Sequence, residues 1–478
     1  MKKLLYIVPA LALFGCSNFL DEVDKDKLIP EKTDHYAALL LNEFNAEFAL
    51  FRDVDYMTDN VIEDPTAFTS AKIGNKTTFT WQREIELDEF GKTVSGINGA
   101  WGNIYKDIAV CNYIIEYIDD AMGTKAENDF VKGEAYFARA FSYFNLVNLY
   151  GQPYNSGNPE VILGVPLRID TGVESAYDRN TVAECYAQVE SDLQMAMDLI
   201  AGSGVSKSIW HPNMAACNLL MSRVKLFQEK WQESIDYANK VIATNNLGKM
   251  TSSSAFITST NKEVLYSFWT TNPIFKLYSS GTTLNTVSYR ANLELVNMYD
   301  TNDIRKTAYF LPIDDGSGKF WYRTKKYELG LFSNAGFGNF RVAEAYLNRA
   351  EAYAQLGKTT EATNDLKAIH TSRYSGTPNV TYPTTGDELV TMVFNERRKE
   401  FCFEGHYRWF DLRRMKNRPE IKHVYSLIED DGTKLGTETY TLLSNDLNYT
   451  LPIPLTERQN NPNIRNNERY EKIPVIVD

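Results

Sequence analysis

Histidine is scarce in this sequence of 478 residues, with only His35, His211, His370, His406 and His423. They form no HExxH pair and no two stand within one helical turn, so a zinc or iron ligand cluster is not expected. Cysteine is equally sparse: five copies, none at CxxC spacing, which argues against a zinc knuckle and a redox dithiol. No G-x-S-x-G elbow occurs. Gly316-Ser317-Gly318-Lys319 lacks the earlier glycine of a phosphate loop and follows two aspartates that would repel phosphate. Positive charge is short, since 50 Lys and Arg face 62 Asp and Glu, and the net charge of −12 disfavours nucleic acid and direct binding to anionic lipid headgroups. Glycine and proline, 27 and 16, are too few for a collagen-like or low-complexity chain. No run of about 20 apolar residues is available to span a bilayer. Neither metal nor cofactor is expected. Converging carboxylates stay open, because a fold and not a sequence sets their spacing.

What the sequence has in excess is aromatic: 29 Tyr, 25 Phe and 7 Trp, 13% of the chain. Tyrosine, the commonest, suits surfaces that are part wet and part apolar. A sizeable core is assured by 43% apolar residues, while length allows either several domains or one large one. At the amino end Lys2 and Lys3 precede an apolar run from Leu4 to Phe14, then Gly15 and Cys16. That run is too short to cross a membrane and has the layout of a signal peptide over residues 1–15. A cysteine directly after a small residue resembles the lipobox of bacterial lipoproteins, although Phe14 is larger than usual there. The resemblance implies an acylated Cys16, a lipidated tether over residues 16–30 and anchoring by lipid. An ordinary signal peptide with an incidental cysteine is the alternative. Residues 17–22, which turn acidic, resemble the surface-export tethers of lipoproteins from gut-type anaerobes.

Apolar side chains recur at helical spacing over residues 36–50 (Tyr36, Leu40, Phe44, Phe48), 101–118 and about 131–150, the last stopped by Gly151-Gln152-Pro153. Cys111, Cys185 and Cys217 sit on such apolar faces. With Cys402 they read as buried thiols, a disulfide staying open in an exported protein. Residues 214–227 then 231–243, and 341–356 then 360–370, each read as two helices about a tight break and resemble the tetratricopeptide unit. The similar landmarks Arg139, Arg223 and Arg349 are 84 and 126 residues apart, which excludes an uninterrupted tandem array of units about 34 residues long. Repeat pairs separated by insertions, or an ordinary helical bundle, remain. Residues 244–340 differ in kind, being rich in Ser, Thr, Asn and Gly with aromatics set singly among them, which predicts short strands and loops. Residues 64–72 share that character. Flat rings in polar loops suit stacking on the apolar face of a sugar; otherwise they plug the insertion onto the helices. In the densest charged segment Glu396, Glu400 and Glu404 are four apart with Arg397 and Arg398 beside them. They read as a solvated ion-pair ladder on a helix stopped by Gly405, rather than as a general-acid pair.

The run from Glu396 to Gly405, continued by Arg408-Trp409-Phe410-Asp411-Leu412-Arg413-Arg414, resembles the signature of the SusD/RagB family of outer-membrane nutrient-binding lipoproteins. Trp101, Ile104 and Tyr105 with Asn112, Gly133-Glu134-Ala135-Tyr136-Phe137, Val165-Pro166-Leu167, the block from Arg341 to Ala352, Leu451-Pro452-Ile453-Pro454 and Asn461-Pro462-Asn463 are similar to further family blocks in the same order. The departures are His406-Tyr407 after the glycine and Asn467-Glu468 near the end. The resemblance implies a mainly α fold in a single domain, 31–478. Tetratricopeptide-like helical pairs would form a scaffold over 31–243 and 341–416, with a loop-rich mixed α/β ligand-binding insertion at 244–340 and an irregular segment at 417–478. It implies a protein that is no enzyme, anchored by lipid to the outer membrane and exposed at the cell surface. Such a protein captures oligosaccharides and delivers them to a SusC-like TonB-dependent transporter. Candidate glycan contacts are placed by region: Phe68 and Lys72 in the first loop, Trp269, Phe275, Tyr278 and Tyr289 in the insertion, and Trp321. A binder of peptides or of another nutrient, an adhesive surface protein and a lipid-anchored glycoside hydrolase are the alternatives.

Overall fold

The computed structural model describes residues 30–43, 54–88, 90–94, 99–172, 177–251, 256–269, 288–314, 316, 318, 320–326, 332–429 and 433–477. From the amino end run α1 (Thr33–Glu43), β1 (Val61–Glu63), α2 (Ser70–Gly74), α3 (Lys76–Phe79), α4 (Gly99–Tyr117), α5 (Lys125–Tyr150), α6 (Val182–Ser203), α7 (Met214–Phe227) and α8 (Trp231–Ile242). A strand-rich stretch follows: β2 (Ile257–Thr258), β3 (Val264–Phe268), β4 (Tyr289–Ala291), α9 (Leu293–Asn297), α10 (Ile304–Tyr309), β5 (Phe310–Asp314), β6 (Phe320–Thr324), β7 (Phe332–Ser333) and β8 (Gly338–Arg341). The chain closes with α11 (Val342–Gln355), α12 (Thr359–Arg373), α13 (Gly386–Phe401), α14 (Tyr407–Arg414), β9 (Ile421–Ile428), β10 (Lys434–Leu442), α15 (Leu455–Asn460) and β11 (Val475–Val477). The fold is mainly α. No helix among the described residues is long and apolar enough to cross a membrane.

The long helices start and stop on local chemistry. Thr124 with Glu127 and Thr181 with Glu184 form capping boxes that satisfy the first free amides of α5 and α6. Gly204, in the left-handed region, closes α6. The second half of the helix expected over 36–50, with Phe44 and Phe48, lies outside the described residues. The two expected helical pairs form as α7–α8 and α11–α12, and their turns repeat. Glu229 and Gly357 both take positive φ, 59° and 71°, and the lysine after each has φ near −82° and ψ of 68°.

β4, β6 and β5 of the insertion add to β1 as an antiparallel sheet in the order β1, β4, β6, β5, and β3 pairs antiparallel with β8. The second pairing drives a plug of rings into the scaffold. Tyr266, Phe268 and Phe340 meet Phe137 and Phe141 of α5 with centroids 5.4–5.8 Å apart, a spacing that favours edge contacts. Residues 417–478, expected to be irregular, instead hold the antiparallel sheet β9–β10–β11. Its inward positions are Ile421, His423 and Tyr425 in alternation. Two of these three are amphipathic, so the alternation is faint in hydropathy and plain in burial. Cys111, Cys185, Cys217 and Cys402 are buried free thiols, and burial pushes Cys185 and Cys217 up to about 12.

The charged signature is not a solvated ladder. Its helix ends at Phe401, so Glu404 and Gly405 fall in the turn beyond, and the acids point inward. Glu400 accepts hydrogen bonds from Arg305 at 3.0 Å, Arg341 at 2.6 Å and Arg373 at 2.8 Å. Glu263 of the insertion shares Arg341 and Arg373, Glu404 takes Lys326 and Arg341, and Glu396 takes Arg305, Lys399 and His370. Burial by itself would raise the Glu400 carboxyl, but Arg373, Arg341 and Arg305 outweigh it and hold the group well below the usual carboxylate range.

A carboxyl held below its unfolded value of about 4.3 stabilises fully above that pH and loses the contribution as pH falls toward its folded value. Urea unfolding is therefore expected to require less denaturant as pH drops below about 4. Glu400→Gln, which removes the one carboxylate three buried guanidiniums share while each keeps another acid, is expected to lose about 1–3 kcal/mol at neutral pH. Asp107 of α4 has the opposite sign: burial, then the charge of Glu43, raises its carboxyl to about 8. Its contribution is present below the unfolded value of about 4 and is lost as pH rises to 8, by at most about 1.4 kcal/mol per pH unit. Asp107→Asn is thus expected to raise the thermal midpoint at pH 8 and leave it unchanged at pH 4.

Candidate functional site

The loop from Asp64 to Thr69 leaves β1 beside β4 and carries the first group of expected contacts. One Asp64 oxygen accepts from the Thr66 amide at 2.9 Å and from its hydroxyl at 2.8 Å, which folds the loop back on itself. The other accepts from Arg290 of β4, at 3.0 Å from Nε and also from Nη2. Thr69 caps α2 through the Lys72 amide and bonds Ser288 at 2.5 Å, tying the loop to the start of β4. The result lifts Phe68 outward, 44% exposed, while Ala67 beside it is buried. Arg290 lies under the ring of Trp321 on β6, 5.4 Å from its centroid, and both members of the Asp64–Arg290 pair are buried. Trp321 is half-buried, and its neighbour Phe320 is 48% exposed.

The expected residues divide. Phe68 and Trp321 border the Asp64–Arg290 pair and present ring surface. Lys72 does not: its ammonium is buried against Glu63 at 2.5 Å and the Asp64 carbonyl at 3.2 Å. Burial pushes the Glu63 carboxyl up, opposed by Lys72 and by Ser426. Tyr289 is fully buried between Tyr56 and Phe79, its hydroxyl donating to the Lys72 carbonyl at 3.1 Å. Both residues hold the loop in place from within the core. Trp269 is also buried, packed edge-on against Phe268 at the end of β3. It lines a cavity of about 40 Å³ with Phe337, His406 and Phe410, room for little more than water. There burial, then Arg223, pulls the imidazole of His406 well below its usual range. Phe275, Tyr278 and Cys16 lie outside the described residues.

Sequence reading missed Asp64, Arg290 and Phe320. The spacing of Asp64 and Thr66 is an Asx-turn signal that was available; the pairing of Asp64 with Arg290, 226 positions away, was not. Chemically the surface offers aromatic faces over charges that are already matched, Arg290 by Asp64 and Lys72 by Glu63. Such a surface suits an uncharged ligand with flat apolar faces and hydroxyl edges. No group of three or more His, Cys, Asp or Glu among the described residues is placed to hold a metal. Asp64→Ala, which takes a carboxylate partner from a buried guanidinium, is expected to destabilise by about 1–3 kcal/mol in urea unfolding. Phe68→Ala, at a half-exposed loop position, is expected to stay within about 0.5 kcal/mol of the parent.

Two family models match the chain. One, described as starch-binding and associating with the outer membrane, covers residues 18–226, and the SusD family covers residues 318–470. SusD-like protein P2 of Formosa agariphila is 22% identical over 98% of this chain and 99% of its own, and SusD-like protein P38 of the same organism is 41% identical over 17% of each. Among solved structures, a SusD-like carbohydrate-binding protein from Bacteroides vulgatus superposes with a TM-score of 0.70 at 24% identity, covering 91% of this chain and 97% of its own. A SusD superfamily protein from Bacteroides thetaiotaomicron gives 0.69 at 22%, covering 92% and 100%. At these identities the solved structures establish the fold alone. With SusD-type models matching on both sides of the insertion and a SusD-like relative aligned end to end, the chain belongs to the SusD/RagB family.

Proposed function

We propose that this protein captures oligosaccharides at the cell surface and hands them to a SusC-like TonB-dependent transporter of the outer membrane, to which it is kept close by a lipid on Cys16. The observation that carries the reading is the half-buried ring of Trp321 over the charge-matched Asp64–Arg290 pair, with the exposed ring of Phe68 on the loop that Asp64 folds. Aromatic faces stack on the apolar faces of pyranose rings, and the Thr66 hydroxyl and neighbouring backbone provide polar contacts at the edges. The description of the amino-terminal match as starch-binding and that of the Bacteroides vulgatus protein as carbohydrate-binding agree with it. Capture and transfer make and break no covalent bond, so the role requires no catalytic group. The paired charges disfavour a strongly ionic peptide, whose side chains would have to compete with Asp64 or Arg290.

The test is calorimetric titration of the soluble chain, beginning after Cys16, with neutral oligosaccharides chosen from a glycan array. Trp321→Ala and Phe68→Ala are each expected to weaken binding tenfold or more, about 1.4 kcal/mol. Binding unchanged by both substitutions would move the site elsewhere on the protein. Binding of peptides with no glycan bound at all would overturn the reading.

A further inference from the structure

The two helical hairpins share a turn but not its residue. Gly357 takes the left-handed backbone between α11 and α12, and a side chain added there would meet open space. In the matching turn between α7 and α8 the position is Glu229, at φ 59°. A left-handed residue with a side chain is strained relative to glycine, so a side chain at such a place points to a use for it.

The Glu229 side chain lines a cleft of about 100 Å³ where the ends of α7, α11 and α14 meet the starts of α8 and α13. One of its oxygens accepts from Asn155 at 3.0 Å, and the other lies 3.5 Å from the Lys416 ammonium. Trp231, the first residue of α8, stands beside it, with Gln355 of α11 and Asp387 of α13 also on the rim. Beneath lies Arg414, its guanidinium 4.8 Å from the Phe227 ring and 4.9 Å from the Phe394 ring and bonded to Glu351 and Asp411. Glu351 is thus matched by Arg414 and Glu229 by Lys416. What the cleft offers is an indole face, amide and carboxylate hydrogen-bonding groups, and a single carboxylate, Asp387, without a basic partner among the described residues.

We propose that this cleft is a second carbohydrate site, built to hold one neutral pyranose residue. The ring lies against Trp231, its hydroxyls donate to the carboxylates of Glu229 and Asp387, and the Gln355 amide supplies the complementary donor. An anionic ligand finds Arg414 and Lys416 already paired, whereas a polyol satisfies donors and acceptors together. The cleft shares no residue with the Phe68–Trp321 surface. Its ligand class is read from its own lining and does not depend on whether that other surface binds glycan.

Saturation-transfer NMR on the soluble protein tests this with the methyl glycosides of glucose, galactose, mannose and N-acetylglucosamine as probes. At least one glycoside is expected to receive saturation in Trp321→Ala and to lose it when either Trp231→Ala or Glu229→Gly is added to that variant. Glu229→Gly is further expected to melt at or above the parent temperature, because glycine relieves the left-handed backbone. Transfer to none of the four, transfer that survives both cleft substitutions in the Trp321→Ala background, or transfer lost with Trp321→Ala alone overturns the second site. A Glu229→Gly that melts well below the parent would show that the side chain is kept for its bonds to Asn155 and Lys416, and would overturn the inference drawn from the turn.

Discussion

Glu400 is ionised where no water reaches it, and three guanidiniums from three separate stretches of chain converge on it: Arg305 from the insertion, Arg341 at the entry to α11 and Arg373 at the end of α12. Each bond joins a different stretch of chain in a low-dielectric interior, so the insertion and the scaffold are held in one relative placement. Glu263, Glu396 and Glu404 extend the constraint outward and bring in Lys326, Lys399 and His370. Beside it the aromatic plug of Tyr266, Phe268 and Phe340 supplies apolar burial over the same seam. Burial gives the seam its free energy, and the ionic network gives it its register.

That register decides what the insertion presents. With β3 and β8 locked against α5, the sheet of β1, β4, β6 and β5 carries Arg290 beneath Trp321, and Asp64 reaches across from the β1 loop to neutralise it. Phe68 and Phe320 are left with open faces. Trp269, only one residue beyond β3, is drawn into the seam instead. Lys72 and Tyr289 are consumed in holding the Asp64 loop against β4 and β9. A capture surface of this kind is carried on short strands and loops, and its geometry is inherited from the packing of the helices behind it.

Much of the scaffold was legible because helices announce themselves locally. The spacing of Trp101, Ile104 and Ile108, the breaks at Gln228-Glu229-Lys230 and Leu356-Gly357-Lys358, and the stop at Gly151 are all short-range signals, and α4, α5, α7, α8, α11 and α12 lie where they point. The C-terminal sheet was not legible. His423 and Tyr425 occupy inward positions that a hydropathy pattern does not mark, and β10 gains its meaning only by pairing with β9 and β11. The signature acids misled for a related reason: charges at i and i+4 on a helix look alike whether they face water or arginines from distant segments.

The amino-acid sequence by itself determined the helical periods, the caps, the aromatic excess and the absence of catalytic motifs, because each is settled within a few neighbouring residues. Only the tertiary structure decided which rings face outward, Phe68, Phe320 and Trp321, and which are spent in the core, Tyr289 and Trp269. It also decided that Asp64 belongs with Arg290 and Glu400 with three arginines. These are contacts between residues tens to hundreds of positions apart, and burial and charge pairing at that range follow from how the whole chain packs.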